Sequence, residues 1–312
     1  MREVPINLRQ LRYFVRIAEV GNITRAAEQL NVAQPALGLQ IRQLEQDLKT
    51  ELLLRHSRGV VLTAAGKLLL ERATRILQDV EEARRDVRAL SGSEQETLVL
   101  GLTPSIMLQI GPDLLVDAKN EIPAVSLSLV EELSHVLVQE LERGEVNIAF
   151  AYGVEERPGI ERRPILEEEL LFATAPGPEP MPETITLAEA LSHELVQAGE
   201  RDQVQKLLKQ AAERFALPLS ILYEAQSIPA MRTLVVRGAA ASIMPYGTAI
   251  EELKAGKLIG RRIVDQPIKR TLYLVRAAGG QASRQNEAME RFLGTVTEHL
   301  LESLGPLARR IG

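Results

Sequence analysis

The stretch Asn22-Ile-Thr-Arg-Ala-Ala-Glu-Gln-Leu-Asn-Val-Ala-Gln-Pro-Ala-Leu-Gly-Leu-Gln-Ile-Arg-Gln-Leu-Glu-Gln-Asp-Leu48 decides the fold of the N-terminal part of this chain. Its first apolar residues recur at helical spacing and predict a short helix, with Ile23, Ala26, Ala27 and Leu30 on one face. Asn31 tolerates the left-handed conformation of a tight turn. Pro35 fits the first turn of a second helix, because the N–H that it lacks would be unpaired there. Two helices joined by a tight turn are therefore predicted, which is a helix-turn-helix.

The second helix has a buried face and a free face. Its buried stripe repeats at spacings of four, three and four, through Leu37, Ile41, Leu44 and Leu48. The opposite stripe is free to meet base edges and phosphates, and consists of Gln34, Gly38, Arg42 and Gln43. An ordinary helical hairpin shows the same pattern, so the stretch indicates DNA binding only when its context agrees.

Length and charge supply part of that context. The 312 residues exceed what one hydrophobic core usually holds, so two or more domains are expected. The net charge of −5 is uneven: residues 1–65 carry nine Lys/Arg against six Asp/Glu, and residues 96–312 carry 22 against 30. A basic N-terminal module on an acidic body suits a protein that touches DNA at one end.

Other composition features narrow the class of protein. The chain has no cysteine, which excludes disulfides and thiolate metal sites. The charged N-terminus does not resemble a signal peptide, and no apolar run is long enough to span a membrane. A cytoplasmic location without membrane contact is therefore expected.

The elements on either side of the helix pair predict a winged module. An amphipathic helix that ends at Gly21 precedes the pair, with Leu8, Leu11, Phe14, Val15 and Ala18 on its apolar face. Residues 52–63 predict a small β-hairpin, the wing. Arg55, His56 and Arg58 at its tip are placed to meet phosphates or enter a minor groove, although a solvated loop tip would look much the same.

A long helix is predicted from Thr63 to about Leu90. Its apolar positions alternate spacings of four and three, through Leu69, Ala73, Ile76, Val80, Ala83, Val87 and Leu90. This stripe is typical of a coiled coil. A helix buried in a monomer could show it too, but the charged flanks favour pairing with a second chain. The polar residues 91–96 are the predicted domain boundary.

From residue 97 short β-rich runs alternate with helical patterns. Predicted strands cover 97–102, 125–130, 146–151, 170–175, 194–198, 220–224, 241–245 and 271–275. Predicted helices cover 105–120, 134–143, 203–215, 228–237, 249–255 and 283–304. This alternation predicts an α/β body with mainly parallel sheets, divided into two lobes that hold a ligand between them.

Small polar residues fall where predicted strands end and helices begin. They are Thr103, Ser105, Ser134, Gln197 and Ser227. Free N–H groups at helix starts, together with hydroxyls, make a site for a small anion such as a carboxylate. Ser and Thr are also good helix caps, so each residue alone favours a capping role. The set as a whole favours a binding cleft.

With these elements in place, the whole chain resembles a LysR-type transcriptional regulator. The motifs that carry the resemblance are Leu8-Arg-Gln-Leu-Arg-Tyr-Phe, Thr24-Arg-Ala-Ala-Glu-Gln-Leu, Gln34-Pro-Ala-Leu, Gln40-Ile-Arg-Gln-Leu-Glu and Arg58-Gly-Val-Val-Leu-Thr-Ala-Ala-Gly. Residues 34–45 look closest to regulators of nitrogen assimilation. The resemblance weakens after residue 95 but keeps the family's order of motifs.

The resemblance implies a winged helix-turn-helix at 1–65, a dimerisation helix at 66–92 and an effector domain at 93–312, similar to type II periplasmic binding proteins. It implies a homotetramer on promoter DNA that responds to a small molecule and, if an activator, contacts RNA polymerase. Expected DNA contacts are Thr24, Arg25, Gln34, Pro35, Gly38, Arg42, Arg55, His56 and Arg58. Expected effector contacts are Thr103, Ser105, Ser134, Gln197 and Ser227.

Three departures from the family pattern affect these expectations. Ala33 stands where a serine usually caps the second helix, which costs about 1 kcal/mol of helix stability. Gly38 and Leu39 replace a serine and a basic residue, so groove contacts are expected to shift to Gln34, Arg42 and the wing. Asn147 stands where the family usually has an aspartate.

Two other classes of protein, an enzyme and a solute-binding protein, fit the sequence less well than a regulator. An enzyme is disfavoured because the four histidines are scattered and no phosphate-cradling glycine loop or nucleophile elbow is present. No catalytic residue, metal site or cofactor is therefore predicted. A solute-binding protein is disfavoured by the N-terminal module and by the lack of a signal peptide.

Overall fold

The structure, a computed structural model, describes residues 6–56, 59–90, 96–278 and 287–312. Within these ranges it describes every side chain except those at 55, 78, 81, 82, 85–90 and 96. The chain forms two compact units, Met1–Glu94 and Gln95–Gly312. The predicted boundary at 91–96 falls outside the described residues, apart from the backbone of residue 96.

Three helices form the centre of the first unit, and they are α1 (Leu8–Val20), α2 (Ile23–Gln29) and α3 (Gln34–Leu48). Gly21 ends α1 in the left-handed conformation, at a φ of +66°. Asn31 makes the turn between α2 and α3 at a φ of +54°. The apolar faces meet in one core, which includes Phe14, Ile17, Ala26, Leu37, Ile41 and Leu44. The predicted helix-turn-helix is confirmed.

A two-stranded hairpin follows α3, with β1 (Leu53–His56) antiparallel to β2 (Gly59–Leu62). Glu45 on α3 accepts hydrogen bonds from the backbone N–H groups of Leu52 and Leu53, at 2.9 and 3.2 Å. These bonds fix the start of the hairpin to α3. The predicted wing is therefore present, and its position depends on α3.

The long helix α4 (Ala64–Leu90) begins after Thr63, as predicted. Its apolar stripe is not uniformly free. Leu69 packs against the core of the first unit, and Ala73 is fully buried. This part of α4 lies in the first unit, where α4 packs against α1. Ile76, which is 42% exposed, leaves that contact. The prediction that the whole stripe faces a second chain is therefore wrong at its first two positions, because the same chain covers them.

The second unit contains the remaining elements. Its strands are β3 (Glu96–Leu102), β4 (Val125–Glu131), β5 (Ile148–Tyr152), β6 (Ile160–Glu169), β7 (Leu171–Thr174), β8 (Thr184–Ile185), β9 (Glu194–Gln197), β10 (Ser220–Glu224), β11 (Ser242–Met244), β12 (Ile259–Ile263), β13 (Lys269–Ala277) and β14 (Ala308–Arg310). Its α-helices are α5 (Pro104–Glu121), α6 (Ser134–Arg143), α7 (Leu187–Leu191), α8 (Gln203–Phe215), α9 (Ile228–Val236), α10 (Ile250–Lys254) and α11 (Glu287–Leu304).

These elements form two lobes. Lobe one holds a six-stranded sheet in the order β14-β6-β13-β5-β3-β4, with α5 and α11 packed on a core around Phe150 and Phe292. Lobe two holds a four-stranded sheet in the order β11-β7-β12-β8 and the parallel pair β10-β9. The chain enters lobe two between β6 and β7 and returns between β12 and β13. The two predicted lobes are confirmed.

The sheets are mixed, so the prediction of mainly parallel sheets is wrong. β3 is parallel to β4 and β5, but β13 is antiparallel to β5 and β6, and β7 is antiparallel to β11 and β12. The returning strand β13 enters the first sheet against the direction of its neighbours. The sequence prediction also missed β6, β8, β12 and β14. Residues 160–169 are rich in Glu and Arg, which are not typical of strands, so the local composition did not indicate β6. Only its pairing with β13 and β14 shows the strand.

In the part of the chain that the structure describes, no helix has the length and apolar character needed to cross a bilayer.

Candidate DNA interface and ligand cavity

The free face of α3 lies opposite its buried stripe. Gln34 and Pro35 in the first turn and Arg42 two turns later are exposed, whereas Leu37 and Ile41 are fully buried. Ala33, which precedes the helix, makes no side-chain cap hydrogen bond. The polar groups of this face are therefore accessible to a groove, and the first N–H groups of α3 remain available to a phosphate.

Gly38 lies on this face but is not free, which corrects the prediction for that residue. It is buried, and the Nη1 atom of Arg42 lies 3.8 Å from the point where a Cβ atom of residue 38 would be. The Arg42 side chain therefore folds back over the glycine. The neighbouring Leu39 is 57% exposed and offers no charge.

The start of α2 and the wing supply the other predicted contacts. Thr24 and Arg25 are exposed, and their backbone N–H groups donate to Asn22 Oδ1 at 2.9 and 3.1 Å, so Asn22 caps α2. His56 is exposed at the end of β1. The Arg55 side chain and all of Arg58 lie outside the described residues.

Lobes one and two enclose a cavity of about 370 Å³, a size suited to a small ligand. Four of the five predicted effector residues line it, namely Thr103, Ser105, Ser134 and Gln197. Ser227 lies outside the lining. Its Oγ accepts from the N–H of Ala230 at 3.4 Å, so it caps α9.

Four of the described α-helices begin at this cavity, and their starts differ between the lobes. In lobe one, the residues before α5 and α6 make no side-chain cap hydrogen bond. In lobe two, Asp202 caps α8 by accepting from the N–H of Val204 at 2.8 Å, and Ser227 caps α9. Orphan N–H groups and the positive helix-dipole ends therefore favour an anion on the lobe-one side.

The polar side chains of the lining are partly engaged within the protein. Ser134 Oγ accepts from the N–H of Tyr152 at 3.0 Å, which leaves its own O–H free to donate. Gln197 Nε2 donates to the carbonyl oxygen of Ile243 at 3.2 Å. The hydroxyls of Thr103 and Ser105 lie 3.5 Å apart. Hydrogen bonds within the protein therefore hold the Ser134 and Gln197 side chains in place without a ligand.

Sequence reasoning missed a buried ionic cluster beside Ser105. Arg270 Nη2 lies 2.8 Å from Glu168 Oε2 and also donates to Ser105 Oγ at 2.8 Å. Its guanidinium carbon lies 3.4 Å from the centre of the Tyr152 ring. Arg270 and Tyr152 both line the cavity. No local signal marks these residues, because the ion pair joins positions 102 residues apart.

Burial sets the protonation of this cluster. It raises the pKa of the Tyr152 phenol well above its usual range, so the phenol stays protonated. Burial also disfavours the charge of Arg270, but the Glu168 carboxylate outweighs this effect and raises the pKa of the guanidinium. The cavity wall therefore holds a permanent cation next to the uncapped start of α5.

Comparison with known proteins gives a family match for each unit of the chain. The family model for bacterial regulatory helix-turn-helix proteins of the lysR family matches residues 8–67, and the LysR substrate binding domain matches residues 91–300. Among relatives, the nitrogen assimilation regulatory protein nac of Klebsiella aerogenes is 31% identical over 290 residues, which cover 92% of this chain and 94% of that protein. The regulator BbuR of Bordetella bronchiseptica is 30% identical, with 87% of this chain and 84% of that protein covered.

Full-length structures of similar proteins show the same architecture. CbnR in complex with its target DNA superposes with a TM-score of 0.58 at 27% identity, covering 96% of this chain and all of that one. An OxyR mutant of Corynebacterium glutamicum gives a TM-score of 0.60 at 25% identity, covering 96% of this chain and 92% of that one. The chain therefore belongs to the LysR family of bacterial transcriptional regulators.

Proposed function

We propose that this regulator binds promoter DNA with α3 in the major groove, where Gln34 and Arg42 read base edges. Pro35 in the first turn, with Thr24 and Arg25 at the start of α2, lies against the backbone phosphates. The observation that carries this proposal is the exposure of Gln34 and Arg42 on α3, opposite the fully buried Leu37, Ile41 and Leu44. The solved complex of CbnR with its target DNA supports the same role for this fold.

The wing is proposed to add contacts beside the groove. Arg55, His56 and Arg58 would meet phosphates or enter the minor groove. A phosphate contact strengthens binding to all sequences alike and contributes to its salt dependence. Arg58→Ala should therefore flatten the salt dependence without changing sequence preference.

Footprinting of promoter DNA with the full chain tests the groove contact. Arg42→Ala should weaken specific binding by about 1–3 kcal/mol. Arg16→Ala removes the same charge from α1 and should leave the footprint intact, since Arg16 pairs with Glu19 on the surface of that helix. Equal effects of the two variants would show that net charge, and not a groove contact, governs binding.

The proposed assembly is a dimer through α4, paired further into a homotetramer. The support is the exposure of Ile76 and Ala83 on the α4 stripe, together with the seam pattern of the sequence. Ile76→Asp should place a charge in the seam and reduce the mass measured by light scattering. An unchanged mass would show that the dimer contact does not lie on the α4 stripe.

The cavity of the second unit is the proposed site of a small anionic effector. Its proposed contacts are Thr103, Ser105, Ser134 and Gln197, and Ser227 serves as a cap. The uncapped starts of α5 and α6 are the observation that favours an anion. We infer that this cavity serves binding rather than catalysis. The protein is proposed to act in the cytoplasm, where promoter DNA lies. If it activates transcription, RNA polymerase is a further proposed partner.

Thermal-shift screening of small carboxylates against the full chain tests this site. Ser105→Ala and Ser134→Ala should reduce the shift given by any stabilising compound while leaving ligand-free DNA affinity nearly intact. An effector acts only if it binds two states of the protein unequally, so a true effector must also change the footprint. Variants that respond like the parent would place the effector elsewhere.

A further inference from the structure

Arg270 lies in the wall of the ligand cavity with almost its whole side chain buried, at 6% exposure. Its Nε and Nη2 atoms make the hydrogen bonds to Glu168 and Ser105. Every hydrogen bond of Arg270 in the described part of the chain uses one of these two atoms. The Nη1 atom therefore keeps its donors for a group inside the cavity.

The guanidinium is held in place before a ligand arrives. Glu168 stands opposite Arg270 in the ladder between β6 and β13 and is fully buried. The Tyr152 ring stacks beneath the guanidinium. A cation that is already desolvated and oriented loses little further freedom on binding, which makes it a better anion anchor than a surface arginine.

The neighbours of Arg270 limit the charge of its ligand. The Glu168 carboxylate already neutralises part of the positive charge of Arg270. A doubly charged ligand would therefore be repelled by Glu168 across the guanidinium. The uncapped starts of α5 and α6 offer N–H donors, which suit the oxygens of a singly charged head group.

We propose that Arg270 binds the negatively charged head of the effector, that this head is a single carboxylate, and that Glu168 and Tyr152 are positioning residues for the guanidinium. This inference rests on the proposed effector cavity and adds the residue and the charge that select the ligand.

Acetate, a carboxylate with only a methyl group attached, is the probe, titrated into the full-length chain by calorimetry. Acetamide has the same shape without the charge, and phosphate carries more charge. Saturable binding of acetate, with weaker binding of acetamide and phosphate, is expected. Acetamide that binds as well as acetate would overturn the role of charge, and phosphate that binds more tightly would overturn the preference for a single carboxylate.

Variants separate Arg270 from its surroundings. Arg270→Met alone leaves Glu168 buried without its partner, so the test uses Arg270→Met with Glu168→Leu, which removes both charges together. This double variant should lose at least about tenfold in acetate affinity. Lys269→Met removes the same charge from the adjacent position, where the side chain is 37% exposed, and should bind acetate like the parent.

Glu168→Gln gives a readout that a merely structural role would not give. The amide oxygen can still accept from Arg270, but the negative charge is gone. Acetate affinity should therefore rise, and phosphate affinity should rise by a larger factor. A loss of affinity for both anions would show that Glu168 does not limit the charge of the ligand and would overturn its assigned role.

The outcomes separate this inference from the proposed cavity. If Ser134→Ala weakens acetate binding while the Arg270 double variant does not, the cavity stands and the role of Arg270 is wrong. If acetate does not saturate, or if no cavity variant changes its binding, both are wrong. In either case the footprinting experiment tests DNA binding independently.

Discussion

The two functional surfaces of the chain bury their polar groups to very different extents. On α3, Gln34 and Arg42 are exposed and lie above a core to which they contribute little. At the cavity, Ser105 and Arg270 are themselves buried and bonded to each other. Recognition and stability should therefore be separable in the DNA-binding unit and linked in the effector unit.

The largest expected effect tests that link directly. Arg270→Met as a single change should lower the free energy of unfolding by about 3–5 kcal/mol, because the fully buried Glu168 carboxylate loses its partner. Urea denaturation of the full chain would measure it. If Arg270→Met were as stable as the parent, the ion pair would contribute nothing to the fold, and the comparison between the two units would fail.

On the exposed surface the opposite result is expected. Gln34→Ala should weaken operator binding by about 1–3 kcal/mol and leave the free energy of unfolding within about 0.5 kcal/mol of the parent. Gel shifts with promoter DNA and parallel denaturation curves would check both values. A loss of stability as large as the loss of binding would contradict the separation of the two properties.

Gly38 offers a test inside the recognition helix. Outside the helix backbone and the two neighbouring residues, the atom nearest to the position of its missing Cβ is Arg42 Nη1 at 3.8 Å, an ordinary van der Waals distance. Gly38→Ala should therefore raise the free energy of unfolding by about 0.5–1 kcal/mol through helix propensity. Thermal denaturation would record a higher melting temperature. A lower one would mean that Arg42 needs the glycine surface in order to pack.

The smallest effect concerns pH and lies in lobe one. Burial, followed by the nearby charges of Glu132 and Glu145, raises the pKa of Glu140 on α6. The folded state thus holds this proton more tightly than the unfolded state, so stability is lost as the pH rises through the raised pKa. Glu140→Gln should be more stable than the parent at neutral pH, by no more than about 0.5 kcal/mol. The difference should vanish in acid, as melting curves at both pH values would show.

Much of the fold followed from local sequence. The end of α1 at Gly21, the turn at Asn31 and the buried stripe of α3 were predicted from turn-forming residues and helical spacing. These features depend on neighbours within a few residues, so the sequence displays them directly. The mixed direction of the sheets was not visible, because strand direction depends on where the chain returns from the other lobe.

The candidate sites divide in the same way. The sequence by itself determined which face of α3 is polar, and it placed Thr103, Ser105 and Ser134 at helix starts, because both properties depend on the local order of residues. Only the tertiary structure decided that Ser227 lies outside the cavity and that Arg270 lies within it. The ladder between β6 and β13 joins Glu168 to Arg270 across 102 residues and brings both to Ser105. A buried charge needs a partner, and for Arg270 strand pairing across 102 residues supplies it.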